Sequence, residues 1–175
     1  TVYAYWKEYL GARTPLQVNA IEGSVWSAKA VDITIQGKQL TSVSWNVQLL
    51  KLLIGKIELA AELEVPNGYV KASLGRSLMG DLYANNVEAW LPFSEISQYA
   101  NLQALRPEGS LGVNLQHLFI SDKQVTDALG SIAWHEAEVT LLESMRLGDL
   151  SIDIEPDAEG IKGQLHDKGG PLQVE

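Results

Sequence analysis

The side chains that most often do chemistry are sparse in this sequence. Its three histidines are His117, His135 and His166, and no two lie three to five residues apart, so a helical metal pair is absent. His135-Glu136 and His166-Asp167 are adjacent pairs, and neighbouring residues of a strand point to opposite faces. All three read as structural or surface histidines. The chain has no cysteine, which removes disulfides, thiolate nucleophiles, iron–sulfur clusters and cysteine zinc sites together. Gly75-Arg76-Ser77-Leu78-Met79-Gly80 comes nearest to a nucleophile elbow, but its second glycine is one place late and no helical pattern follows. Asp153 to Gly160 (DIEPDAEG) sets oxygen ligands at alternate positions, yet Ala158 stands where a calcium loop turns on glycine, and Pro156 breaks the spacing. That stretch reads as an acidic hairpin turn. No phosphate-binding glycine loop occurs. The sequence assigns no catalytic, cofactor-binding or metal-binding residue and does not read as an enzyme.

Composition narrows the rest. The chain has 175 residues, 46% of them apolar, which suits a globular module and excludes a disordered or collagen-like one. Its 22 acidic and 13 basic side chains give a net charge of −9, and binding nucleic acid needs the opposite. No uninterrupted apolar run approaches the roughly 20 residues of a membrane helix. The acidity is local: residues 136–175 carry ten acidic and three basic side chains, residues 1–135 twelve and ten. This reads as solvated strand faces and turns.

The elements available are mostly strands, because the dominant period is two. Ile57, Leu59, Ala61, Leu63 and Val65 alternate with Lys56, Glu58, Ala60, Glu62 and Glu64, giving a strand with one dry and one wet face. Pro66-Asn67-Gly68 follows, where Asn-Gly would supply the positive φ angles of a tight turn. Val70, Ala72 and Leu74 then alternate with Tyr69, Lys71 and Ser73 on the return strand. The same pattern covers Val31–Ile35, Val43–Val47, Leu111–Leu115, Leu150–Ile154, Ile161–Asp167 and Leu172–Glu175. Helical spacing is confined to Tyr3–Leu10, to Gln48–Ile54 and to Pro92–Leu105. Trp26, Trp45, Trp90 and Trp134 fall on strand-like segments as core anchors. Tyr3, Tyr5, Trp6 and Tyr9 crowd the first nine positions, which suits either a packed amphipathic helix or a membrane-interface segment.

Three short matches recur in order. IEGSVW (21–26) parallels PEGSLG (107–112), KQLT (38–41) parallels KQVT (123–126), and SVSW (42–45) parallels SIAW (131–134), at offsets of 86, 85 and 89. They suggest duplication of a unit of about 85–90 residues. The expected fold is therefore mainly β: a curved, twisted antiparallel sheet built from two repeated units, with a few short helices. The expected organisation is a helical lead-in over 1–20, a first β unit over 21–91, a helical connection over 92–106 and a second unit over 107–175.

Several stretches resemble the type II secretion system protein N family. EGSVWSAKA (22–30) is similar to its G-x-x-W-x-G-x-A element, with Ser27 and Ala28 where a glycine is often found. VSWNVQLLKLLIGKIEL (43–59) looks like its W-x-L…LL-x-G-x-[IVL] segment, with Val47-Gln48 replacing the usual proline. Gly130, Trp134 and Ala137 resemble a G-x-[IVL]-x-W-x-x-A segment with one residue inserted, and Leu147-Gly148-Asp149 an L-G-x-[IVL] step. GQLHDKGGPLQVE (163–175) resembles G-x-[IVL]-x-D-x-G-G-P-L-x-[IVL], the most specific of the set.

The resemblance implies a non-enzymatic accessory or assembly component of the machinery that exports folded proteins from Gram-negative bacteria. It implies a single membrane helix just before Thr1, the bulk of the chain in the periplasm, continuation past Glu175, no cofactor, and partners among the other inner-membrane and periplasmic secretion components. The open edge near Leu172–Val174 is then the candidate docking strand, since unpaired backbone groups invite strand addition. Two rivals remain: a periplasmic lipid-handling protein with an apolar β-groove, and a secreted carbohydrate-active β-domain with carboxylates clustered in a cleft.

Overall fold

Alternation gives each segment one dry side, and short turns fold each strand back on its predecessor. The structure is a computed structural model and describes residues 16–35, 37–97, 106–140, 144–158 and 160–168. It contains β1 (Leu16–Gly23), β2 (Ser27–Ile35), β3 (Lys38–Val47), α1 (Leu49–Leu52), β4 (Lys56–Val65), β5 (Gly68–Ser77), β6 (Leu82–Pro92), α2 (Phe93–Ile96), β7 (Pro107–Ser121), β8 (Gln124–Thr140), β9 (Ser144–Asp157) and β10 (Gly160–Lys168). All ten strands form one antiparallel sheet whose spatial order is the chain order, with β1 and β10 as its two edges. The expectation of a mainly β antiparallel fold with few short helices is met.

The β4–β5 hairpin has the expected strands but a different turn. Val65 pairs with Gly68, so the two turn residues are Pro66 and Asn67, and neither has a positive φ. Gly68 is required for closeness instead: a Cβ there would lie 2.3 Å from the Trp90 carbonyl oxygen. The mirror-image turn falls between β7 and β8, where Asp122 (φ 51) and Lys123 (φ 64) take the left-handed region without any glycine. Within strands, Asn86 (φ 49) and Glu136 (φ 51) sit at register shifts of β5–β6 and β8–β9. Such bulges add a residue to one strand and increase local twist.

The helical expectations shrink. Over Gln48–Ile54 only Leu49–Leu52 is helical, and the chain then turns through Gly55 (φ 72) into β4. Over Pro92–Leu105 the helix covers Phe93–Ile96, because Pro92 still belongs to β6 and stays extended as the N-cap. Residues 98–105, the lead-in over Tyr3–Leu10 and the strand over Leu172–Glu175 lie outside the described residues. Trp26 is not on a strand; it occupies the β1–β2 connection and is exposed. The core cluster is small, with Ala30, Ile33, Leu40 and Val65 packed by Val18, Ile21, Val43, Trp45, Leu63 and Leu91. The α2 helix is held on the sheet by Phe93, whose ring lies 4.9 Å from that of Trp134.

Gly75 of β5 lies opposite Tyr83 of β6, and a Cβ there would sit 2.1 Å from the tyrosine ring. The ring thus crosses the β5 backbone. Gly75→Ala is expected to displace it and lower stability by about 1–3 kcal/mol, the usual cost of overpacking. Urea denaturation measures this; an unchanged midpoint would show that the ring does not need the space.

Candidate functional site

Register across the sheet sorts the side chains into two faces of opposite chemistry. Ile21, Ala30, Val43, Leu63, Val70, Ala89, Val113, Ile132, Ile152 and Leu165 are successive cross-strand partners from β1 to β10. They form one unbroken apolar row, roughly 40 Å long at the usual strand spacing. One residue along each strand, the row reads Glu22, Lys29, Ser44, Glu62, Lys71, Glu88, Asn114, Ser131, Asp153 and Gln164. The polar face follows from the apolar one, because successive side chains alternate.

Charges on the polar face compensate one another. Lys71 Nζ lies 2.9 Å from Glu62 Oε1, and this hydrogen bond and the Glu62 charge raise the lysine pKa above its ordinary value. An open trough of about 750 Å³ runs past Lys29, Ser44, Glu62, Lys71 and Glu88. Its carboxylates and lysines share one polar row, with Lys71 paired to Glu62, so the arrangement reads as a solvated ion ladder.

Each histidine meets an aspartate of a neighbouring strand. His117 Nε2 is 3.2 Å from Asp127 Oδ1, His135 Nδ1 is 3.9 Å from Asp149 Oδ1, and His166 Nε2 is 3.2 Å from Asp153 Oδ2. The three sites stay apart, and no cluster of metal-binding side chains occurs among the described residues. Ser77, the serine of the elbow-like stretch, donates to Asp81 Oδ2 at 3.2 Å and closes the β5–β6 turn. In the acidic stretch, Asp157 Oδ1 accepts from the Ala158 amide at 2.8 Å, as a turn residue does.

One polar cluster was invisible to sequence reasoning. Glu58 of β4 is buried, accepts the Tyr83 hydroxyl at 3.1 Å and pairs with Lys51 of α1 at 3.2 Å. Alternation marks Glu58 only as a wet-face residue; the α1 turn and the Tyr83 ring, which also stacks on Phe119 at 5.9 Å, enclose it. Burial first, then the hydrogen bond and charge of Glu58, raise the Tyr83 pKa above its ordinary value of 10.0. The trapped carboxylate is satisfied by a donor and a cation, so it locks α1 to the sheet.

The family model described as "Type II secretion system (T2SS), protein N" matches residues 14–175. The chain belongs to this family. It is 25% identical over 144 residues to the type II secretion system protein N of Vibrio cholerae, a match covering 79% of this chain and 56% of that protein. The chain thus spans about half the length of the curated relative it matches. No solved structure matches it.

Because the folded Tyr83 pKa lies above the unfolded value, its contribution is fully present below about pH 10 and is lost as pH rises through the folded value. Tyr83→Phe is expected to cost about 1.5–3 kcal/mol at neutral pH, the range for a hydrogen bond to a charged group. It should also flatten the alkaline loss of stability. Urea midpoints of both proteins across the alkaline range test this; parallel pH profiles would refute the coupling.

Proposed function

We propose that the chain works as a non-enzymatic component of the type II secretion machinery, contributing to protein export through contacts with other subunits. The observation that carries this reading is the family match over residues 14–175. The chemistry supports it: side chains able to catalyse are engaged in turns, ion pairs and a buried lock. In this reading the chain is periplasmic and tied to the inner membrane of a Gram-negative bacterium by a single helix outside this sequence. Its partners are inner-membrane and periplasmic secretion components.

The contact surface proposed is a sheet edge. The sequence motifs suggest one near Leu172–Val174, outside the described residues; within them the outer strand is β10, which has no proline to block pairing. The organisation into units over 21–91 and 107–175 belongs to the same proposal. It is supported by a shared detail: Trp45 Nε1 donates to the Val25 carbonyl at 3.1 Å and Trp134 Nε1 to the Glu108 carbonyl at 2.8 Å. Each matched tryptophan thus reaches back to its own matched EGS segment, whose glycines Gly23 and Gly109 have φ values of 118 and 95.

The continuous apolar row favours a second reading, a lipid-handling protein whose sheet receives acyl chains. Native mass spectrometry separates the two: co-purified lipid supports the second, a lipid-free chain bound to a secretion subunit the first.

Backbone N–H groups of an edge strand point alternately inward and outward. Of Lys162→Pro and Gly163→Pro, one removes an outward donor. That variant is expected to lose capture of the secretion subunits with an unchanged urea midpoint, whereas its neighbour weakens the β9–β10 hairpin. Capture that survives both substitutions would exclude strand addition at this edge.

A further inference from the structure

Antiparallel order places the connections β1–β2, β3–β4 and β5–β6 at one end of the sheet. Most large apolar side chains that are exposed among the described residues gather there. On the β3–β4 connection Leu50 is 80% exposed, Leu53 83% and Ile54 67%; on the β5–β6 turn Leu78 is 82% and Met79 94% exposed. Trp26 on the β1–β2 connection is 54% exposed.

The three connections form one rim. The Val47 amide donates to the Trp26 carbonyl at 2.7 Å, and the Leu78 amide to the Gly55 carbonyl at 3.2 Å. A Cβ at Gly55 would meet the Leu78 side chain at 3.0 Å, so the two loops touch. Monomeric proteins rarely leave such a patch in water.

Charge identifies the occupant. Residues 49–57 (LLKLLIGKI) and 74–80 (LGRSLMG) contain Lys51, Lys56 and Arg76 and no carboxylate, in a chain whose net charge is −9. Of the nearby acids, Glu22 lies opposite Lys29 and buried Glu58 is paired with Lys51; Asp81 keeps its charge, held by the Ser77 and Ser121 hydroxyls, so Lys56 and Arg76 leave the rim cationic by one charge. Asp122 and Lys123 share the next turn. The acidic turn of β9 and β10, with Asp157, lies four strands further across the sheet from β6.

We propose that this rim inserts into the interface of an anionic lipid bilayer, with Leu50, Leu53, Ile54, Leu78 and Met79 among the acyl chains. Lys56 and Arg76 then meet headgroup phosphates, and Trp26 lies at the boundary, where its ring has one dry and one wet side. A bilayer fits better than a protein groove because the side chains project from convex turns, and a bilayer accepts such a shape without a complementary pocket. This surface is separate from the β10 edge, so either proposal can fail alone.

The test is flotation of the chain with vesicles of phosphatidylcholine alone and of phosphatidylcholine with phosphatidylglycerol. The chain should bind the anionic vesicles with a blue shift of tryptophan emission that is reduced in Trp26→Phe. Leu53→Ser with Leu78→Ser should weaken binding by at least about tenfold, and Lys56→Gln with Arg76→Gln should weaken it about fivefold per charge removed, on anionic vesicles only. These side chains are exposed, and circular dichroism should show unchanged sheet content. Absence of vesicle binding by the unsubstituted chain, or equal binding of the double serine variant, overturns the proposal. Loss of a captured secretion subunit in the serine variant, without any vesicle binding, reassigns the rim to protein docking.

Discussion

Each strand of this sheet hydrogen-bonds only to the strands before and after it in the chain, and everything else depends on that constraint. Side-chain direction is inherited across nine junctions, from Ile21 on β1 to Leu165 on β10. A one-residue slip anywhere would turn the remaining strands over and bring Glu88 or Asp153 onto the apolar face. The bulge between β5 and β6 respects this: the register passes from Lys71↔Glu88 to Ser73↔Asn85 with one extra residue on β6, and the apolar pairs Val70↔Ala89 and Leu74↔Ala84 stand on either side of it.

A sheet of this kind has little interior. Its buried apolar residues are mostly small, including Ala28, Ala30, Ala84, Ala128 and Ala137. Stability must come from backbone pairing, half-buried rows and a few ties between elements. The indoles of Trp45 and Trp134 hold strand ends to backbone carbonyls, Phe93 holds α2 down, and Glu58 joins α1, β4 and β6 through Lys51 and Tyr83. The same economy leaves one long face apolar without another layer on it among the described residues, which is unusual for a protein that works alone.

Strands were legible because alternation is a local property. Lys56–Val65 announces its two faces in ten residues, and the paired register of β4 with β5 agrees with it throughout. The motif reading was equally local and led to the right family. Tertiary environment was not legible. Glu58 looks like any wet-face glutamate until a turn and a ring close over it, and Asn67-Gly68 looks like a positive-φ turn until Trp90 shows why the glycine is there. The rim was hidden for a similar reason. Gln48–Ile54 reads as a short helix between strands, but only one turn forms and its leucines remain outside.

Strand order that equals chain order has a temporal meaning. No strand must wait for a distant one, since each new hairpin finds its template in the strand just laid down. Such a sheet can be assembled N-terminus first, as the polypeptide is delivered, with loop closure limited to short turns in most steps. The exception is the long connection between β6 and β7, where the growing edge of β6 must stay available until β7 arrives. That junction divides the molecule in time, even though the finished ladder runs through it without a seam.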